Sequence, residues 1–149
     1  MNCRKRNVLT SSTRFVPGVM GSQLTRTIAP GPGSRVIWGA FSRTPPDLGY
    51  RDDDKVEVSL LARYGLPIGS VDVYESAINL IKNLNVSYGG DTDIFSYDWR
   101  QSNILTAQGL SRWVCSTRTE LELDERPVVF LAHSMGGLVL KRWLKYEIR

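Results

Sequence analysis

Ser134 stands in the run Ala132-His133-Ser134-Met135-Gly136-Gly137, between five uncharged residues, Val128 to Ala132, and a segment with helical spacing. A serine between a buried strand and a helix, with small residues two before and two after it, is the pattern that presents an oxygen nucleophile on a sharp turn. The turn strains the serine backbone, so bulk at either flanking position would collide. Ala132 and Gly136 meet that condition, although glycine is the usual first residue. A tight turn without chemistry would favour the same small residues. The strand before it, the helix after it and a suitable loop upstream favour chemistry: attack on an ester or acyl carbonyl to give an acyl-enzyme.

Such attack needs backbone donors aimed at the oxygen that becomes negative. The N–H of Met135 is placed for this by the turn, helped by the positive end of the following helix. The second donor must come from a loop after an earlier strand. Pro17-Gly18-Val19-Met20-Gly21 is such a loop, with Met20 or Val19 as the donor. Removing one donor of this kind costs ~10²–10³ in turnover. The proton acceptor is harder to find. Where the serine sits on a strand-to-helix turn of this kind, the order along the chain is serine, then Asp or Glu, then His, yet fifteen residues follow Ser134 and the sole histidine is His133. His133 is expected to point away from Ser134 and to be structural, so base and acid are both missing and the chain by itself is expected to be inactive. Asp98 precedes the nucleophile and is expected to pair with Arg100 or anchor a loop. Trp38 and Phe41 are candidates either for contact with substrate or a lipid interface or, equally, for anchoring the excursion itself, Trp99 for the core, and Cys115 for a packed thiol. No metal ligands or cofactor motif are found.

The elements that must position Ser134 follow from spacing. Phe15 to Gly21 reads as a strand end running into a turn. Residues 22–70 read as an irregular excursion, with Val36-Ile37-Trp38 and Val56 to Ala62 as short ordered pieces. Asp72 with Glu75 three residues later signals a helix start, and Val73, Ala77, Leu80, Ile81 and Leu84 form its apolar stripe. Thr92 to Tyr97 reads as a buried strand, followed by a helix from about Ile104 with Ala107, Leu110, Val114, Thr117 and Leu121 on one side. Pro127 blocks its continuation. Val128 to Ala132, uncharged and without alternation, predicts a central parallel strand covered on both faces, and the helix after it begins at about Met135. Strand and helix alternating in this way predict an α/β fold with a doubly wound, mostly parallel sheet. One domain is expected over 1–149, with 1–14 a frayed N-terminus.

Composition bounds the partners. With 42% hydrophobic and 23% charged residues the chain is an ordinary globular one. The +4 net charge is scattered except at Arg4-Lys5-Arg6 and Lys141, Arg142, Lys145, so it favours solubility over a membrane role, with transient contact to an anionic surface left open. No zinc-ligand spacing or paired-aromatic sheet signature accompanies it, which argues against nucleic acid. Cys3 and Cys115 could make one disulfide at most. The first 14 residues lack the apolar stretch of a secretory signal, and Val128 to Leu140 falls short of the ~18 residues of a membrane span. A cytoplasmic location is the default expectation; oligomeric state is not legible.

Four stretches together carry a resemblance: Phe15 to Leu24, Ile37-Trp38, Tyr97-Asp98-Trp99-Arg100 and Ala132 to Gly137, in that order. They resemble successive landmarks of the lecithin:cholesterol acyltransferase family, over most of the chain from Phe15 onward. The resemblance implies an α/β-hydrolase, here truncated after the helix that follows Ser134, that transfers or hydrolyses acyl groups of phospholipids and related lipids. By position, residues 22–70 correspond to that family's lipid-facing excursion. Two alternatives stand beside this expectation: a non-catalytic hydrolase-fold module, suggested by the missing base and acid, and an esterase resembling GPI-inositol deacylases.

Overall fold

The computed structural model describes residues 11–28, 33–43, 46–51, 55–87, 90–120 and 127–147, apart from the side chains of 28 and 118–120. Cys3, the Arg4-Lys5-Arg6 cluster, Pro30 to Pro32, Pro45, the acidic run 52–54, Gly89 and Leu121 lie outside the described residues. In chain order the elements are β1 (Ser12–Val16), β2 (Ser22–Ile28), β3 (Gly33–Trp38), β4 (Val56–Leu60), β5 (Arg63–Gly65), β6 (Ser70–Asp72), α1 (Glu75–Ser87), β7 (Asp91–Ile94), α2 (Asn103–Glu120), β8 (Val128–Ala132) and α3 (Met135–Tyr146).

The central sheet has the order β7-β1-β8, with both pairings parallel. Side chains alternate across it. Val16 points into a cluster with Phe95, Tyr97, Ala107, Leu110, Val114, Val139 and Trp143, covered by α2 and α3. Phe15 points the other way, onto Tyr74 and Ile78 of the α1 region. Helices therefore cover both faces of this parallel sheet.

The expectation of a frayed N-terminus over 1–14 is corrected at its end. Residues 12–14 belong to β1, and Arg14 is 1% exposed. The strand is polar yet central because its polar groups are answered inside the fold. Ser12 Oγ donates to Asp91 Oδ2 (3.0 Å), Thr13 Oγ1 donates to Asn85 Oδ1 (3.1 Å), and Arg14 Nη1 donates to Asp91 Oδ2 (2.9 Å). Apolar patterning is blind to a buried strand held this way.

A second correction concerns 22–70, in whose described residues five strands begin. β2 pairs antiparallel with β3 and β4, β5 pairs antiparallel with β6, and Leu24 of β2 is fully buried. The whole molecule is thus less dominated by parallel strands than the sequence suggests. A third correction concerns α1. Its buried side carries Tyr74, Ile78 and Ile81, whereas Val73, Leu80 and Leu84 are exposed. Both stripes are apolar, and the neighbouring one wins because Tyr74 and Ile78 meet Phe15. Asp72 still caps the helix, accepting the N–H of Ser76 (3.2 Å). The Ser76 hydroxyl bonded to it holds the Asp72 carboxyl below the usual carboxylate range.

β8 and α3 start where the sequence predicts, and α2 buries Ala107, Leu110, Val114 and Thr117 as expected. β8 is nevertheless not covered on both faces. It pairs only with β1 among the described residues, and Val129 and Leu131 are exposed on the face opposite Phe130. Cys115 lies on the exposed side of α2, not packed as predicted.

Candidate active site

Ser134 occupies the turn between β8 and α3 with φ 51° and ψ −122°. Only two described non-glycine residues have positive φ, and they are Ser134 and Met20. Such backbone costs of order 1–3 kcal/mol per residue, so the surroundings must impose it. At Ser134 the imposition is visible. His133 N–H donates to Val16 O (3.0 Å), and Gly136 N–H donates to His133 O (2.9 Å). Gly136 presses against the end of β1: a methyl group there would lie 2.4 Å from Val16 O and 2.5 Å from Pro17 O. Position 136 accepts no side chain, which is the physical content of the small-residue requirement. Met135 opens α3, and its N–H has no acceptor among the described residues, as expected at a helix start.

The loop after β1 lies directly against this turn. A methyl group at Gly18 would sit 2.9 Å from Ser134 Cβ and 3.0 Å from His133 Nδ1. The loop closes through Gly21 N–H donating to Gly18 O (3.1 Å), with Met20 at φ 61° in the third turn position. Distant residues hold four more polar groups of the loop and the carbonyl of Ser22 just beyond it. Tyr97 Oη donates to Pro17 O (2.8 Å), Gly18 N–H donates to Tyr74 Oη (3.0 Å), Trp38 Nε1 donates to Met20 O (3.0 Å), Leu61 N–H donates to Gly21 O (3.0 Å), and Trp99 Nε1 donates to Ser22 O (3.1 Å). The N–H groups of Val19 and Met20 are left without an acceptor among the described residues. A loop fixed at its carbonyls with two N–H groups unspent can receive a developing oxyanion without reorganising.

His133 is turned onto Tyr74: the Tyr74 hydroxyl accepts the Gly18 N–H and lies 2.7 Å from His133 Nδ1, with the two rings edge to face at 5.7 Å. One side chain thereby ties the loop to the turn that bears Ser134. Burial, and secondarily Tyr74, pushes the Tyr97 phenol well above its ordinary value near 10, so it stays a donor to Pro17 O.

Of the two candidate contact residues, Trp38 is brought to the site and Phe41 is not. The Trp38 ring lies between Tyr64 (5.6 Å) and Trp99 (5.7 Å), and its N–H is committed to Met20. Phe41 is 52% exposed on the rim of a cavity of about 270 Å³ that Ile37, Trp38, Pro46 and Tyr64 also line. Asp98 and Arg100 form a buried ion pair (2.6 Å), from which Arg100 Nη1 reaches Gly49 O (3.1 Å) and the guanidinium covers Tyr50. That pair anchors the 49–50 segment. Sequence reading missed Tyr74 altogether, since a tyrosine ahead of a helix carries no signal. The sequence reads Tyr97 as the end of a buried strand and Trp99 as core, and assigns neither to this loop. Among the described residues, no helix is long and apolar enough to cross a membrane, and no cluster of metal-binding side chains occurs.

A parallel sheet with helices on both faces, a strained serine where a strand meets a helix, and a second loop packed on that serine are compatible with the α/β-hydrolase class. The chain belongs to the lecithin:cholesterol acyltransferase family, whose model matches residues 33–148. Membership carries the α/β-hydrolase fold and, at the level of the family, acyltransferase- or lipase-like activity on lipid esters. The match takes in Trp38, residues 97–100 and the serine turn, while the loop 17–21 precedes it. Comparison with curated proteins and with solved structures found no match.

Proposed function

We propose that this protein transfers or hydrolyses acyl groups of lipid esters through an acyl-serine at Ser134, on a doubly wound sheet of the α/β-hydrolase type. The observation that carries the reading is the pairing of strain and contact: the two described non-glycine residues with positive φ, Ser134 and Met20, lie in two segments that touch through Gly18. In this reading Ser134 Oγ attacks the ester carbonyl and the carbonyl oxygen takes the negative charge. The N–H groups of Met135 and Met20 stabilise it, and collapse of the intermediate expels the alcohol and leaves the acyl group on Oγ. Water or a second alcohol then takes the acyl group. The Oγ proton needs an acceptor, and His133, the sole histidine, is engaged by Tyr74 and makes no bond to Ser134. The acceptor is therefore not among the described histidines. The antiparallel sheet β2–β4, with Phe41 exposed beside it, is the surface we assign to the lipid or its interface.

A fluorophosphonate probe tests the reading on the natural protein. Covalent labelling at Ser134 that disappears in Ser134→Ala is the expected result. No labelling, or equal labelling of both forms, overturns it and favours the second reading, a hydrolase fold used for binding alone, which the engagement of His133 by Tyr74 supports.

A further inference from the structure

We infer that Trp38 is a positioning residue for acyl transfer, acting through Met20, and not a contact for the lipid or its interface. The inference rests on the proposed role of Ser134 and of the loop 17–21.

Met20 holds φ 61°, a region that a side-chain-bearing residue adopts only when its surroundings impose it. Two bonds impose it here. Gly21 N–H is held by Gly18 O at 3.1 Å, and Met20 O is held by Trp38 Nε1 at 3.0 Å. Both atoms belong to the one peptide plane that follows Met20. With that plane pinned at its oxygen and its nitrogen, the torsions of Met20 fix where the preceding plane, and hence the Met20 N–H, points. The indole itself has no freedom to drift. It is packed against Trp99 at 5.7 Å and Tyr64 at 5.6 Å, and Trp99 in turn donates to Ser22 O at 3.1 Å. The indole pair thus grips the carbonyls on either side of Gly21. An interfacial tryptophan would keep its N–H for water or head groups; this one spends it on the loop.

Loss of the indole donor leaves Met20 free to relax toward negative φ and swings its N–H off the oxyanion. Since a misplacement near 1 Å costs up to ~10²-fold, about a tenfold fall in kcat is expected for Trp38→Phe. KM should be unchanged. The fall should be the same on a soluble short-chain ester, p-nitrophenyl butyrate, and on phosphatidylcholine vesicles. Glycine takes positive φ without penalty, so in a Met20→Gly background the Trp38→Phe penalty should shrink to within about twofold.

The natural protein is assayed on both esters beside Ser134→Ala, with circular dichroism melting to confirm that each variant folds. Activity surviving in Ser134→Ala removes the reading on which the inference rests. If Ser134→Ala is inactive, three outcomes overturn the inference itself: a loss confined to vesicles, a loss carried by KM, or an undiminished penalty in the Met20→Gly background. A measurement that needs no variant and no turnover stands beside these. In the wild-type protein the Trp38 indole N–H should exchange with deuterium at least tenfold more slowly than a free indole; exchange at the free rate refutes the clamp.

Discussion

Gly136→Ala and Gly137→Ala, adjacent substitutions of the same chemistry, should move stability in opposite directions. At Gly136 the new methyl would meet Val16 O at 2.4 Å and Pro17 O at 2.5 Å. An ordinary C···O approach is about 3.3 Å, so the start of α3 must retreat from β1 by roughly 0.9 Å. Both obstacles are backbone, and one of them accepts the His133 N–H at 3.0 Å. Overpacking of this kind costs about 1–3 kcal/mol, and a weakened buried hydrogen bond adds about 1 kcal/mol. The total of about 3 kcal/mol corresponds to a fall in Tm of about 6–12 °C for a chain of this length. Because the retreat carries Ser134 with it, turnover should drop by ~10²-fold beyond any loss of folded protein. At Gly137 nothing lies within 4 Å of the added methyl, and alanine is the better helix former. A gain of about 0.5 kcal/mol, or 1–2 °C in Tm, is expected. Thermal melts followed by circular dichroism check the pair, with fluorophosphonate labelling rates at Ser134 as the functional measure. Gly136→Ala melting within a degree of wild type, or Gly137→Ala falling as far as Gly136→Ala, would refute the packing argument.

Tyr97→Phe should change the alkaline limb of stability. Burial raises the phenol pKa in the folded state above the unfolded value near 10, so its contribution is intact below about pH 10 and is lost as pH rises further, by about 1.4 kcal/mol per pH unit. Urea midpoints between pH 9 and 11.5 should fall more steeply for wild type than for Tyr97→Phe; parallel curves would count against it. Asp91→Asn should cost about 2–3 kcal/mol in chemical denaturation. It strands the Arg14 guanidinium, 2% exposed, while the partial exposure of Asp91 keeps the loss below that of a fully buried pair.

Trp38 shows how a legible landmark can leave a role open. Ile37-Trp38 is legible as a motif, and an aromatic in a long excursion invites assignment to a lipid surface. The hydrogen bond from Trp38 to Met20 joins residues 18 apart, and those from Tyr74, Trp99 and Tyr97 to the same loop and its exit span 56, 77 and 80 residues. No local pattern encodes pairings of that length. The same holds for β2 to β4, whose mixed polar sequences become a sheet only once their register brings them together.

What the sequence determined by itself is what short-range sterics determine. Ser134 sits on a tight turn because Ala132 and Gly136 leave room for it, β8 runs from Val128 because an uncharged run begins there, and α2 buries one side because its apolar residues recur at helical spacing. Tertiary structure alone decided which of two apolar stripes of α1 faces the sheet, that a strand reading Ser-Thr-Arg-Phe-Val lies at its centre, and that four aromatic side chains converge on the loop beside Ser134. Those outcomes depend on partners scores of residues away, whose burial and hydrogen bonds outweigh the preferences of the segment itself.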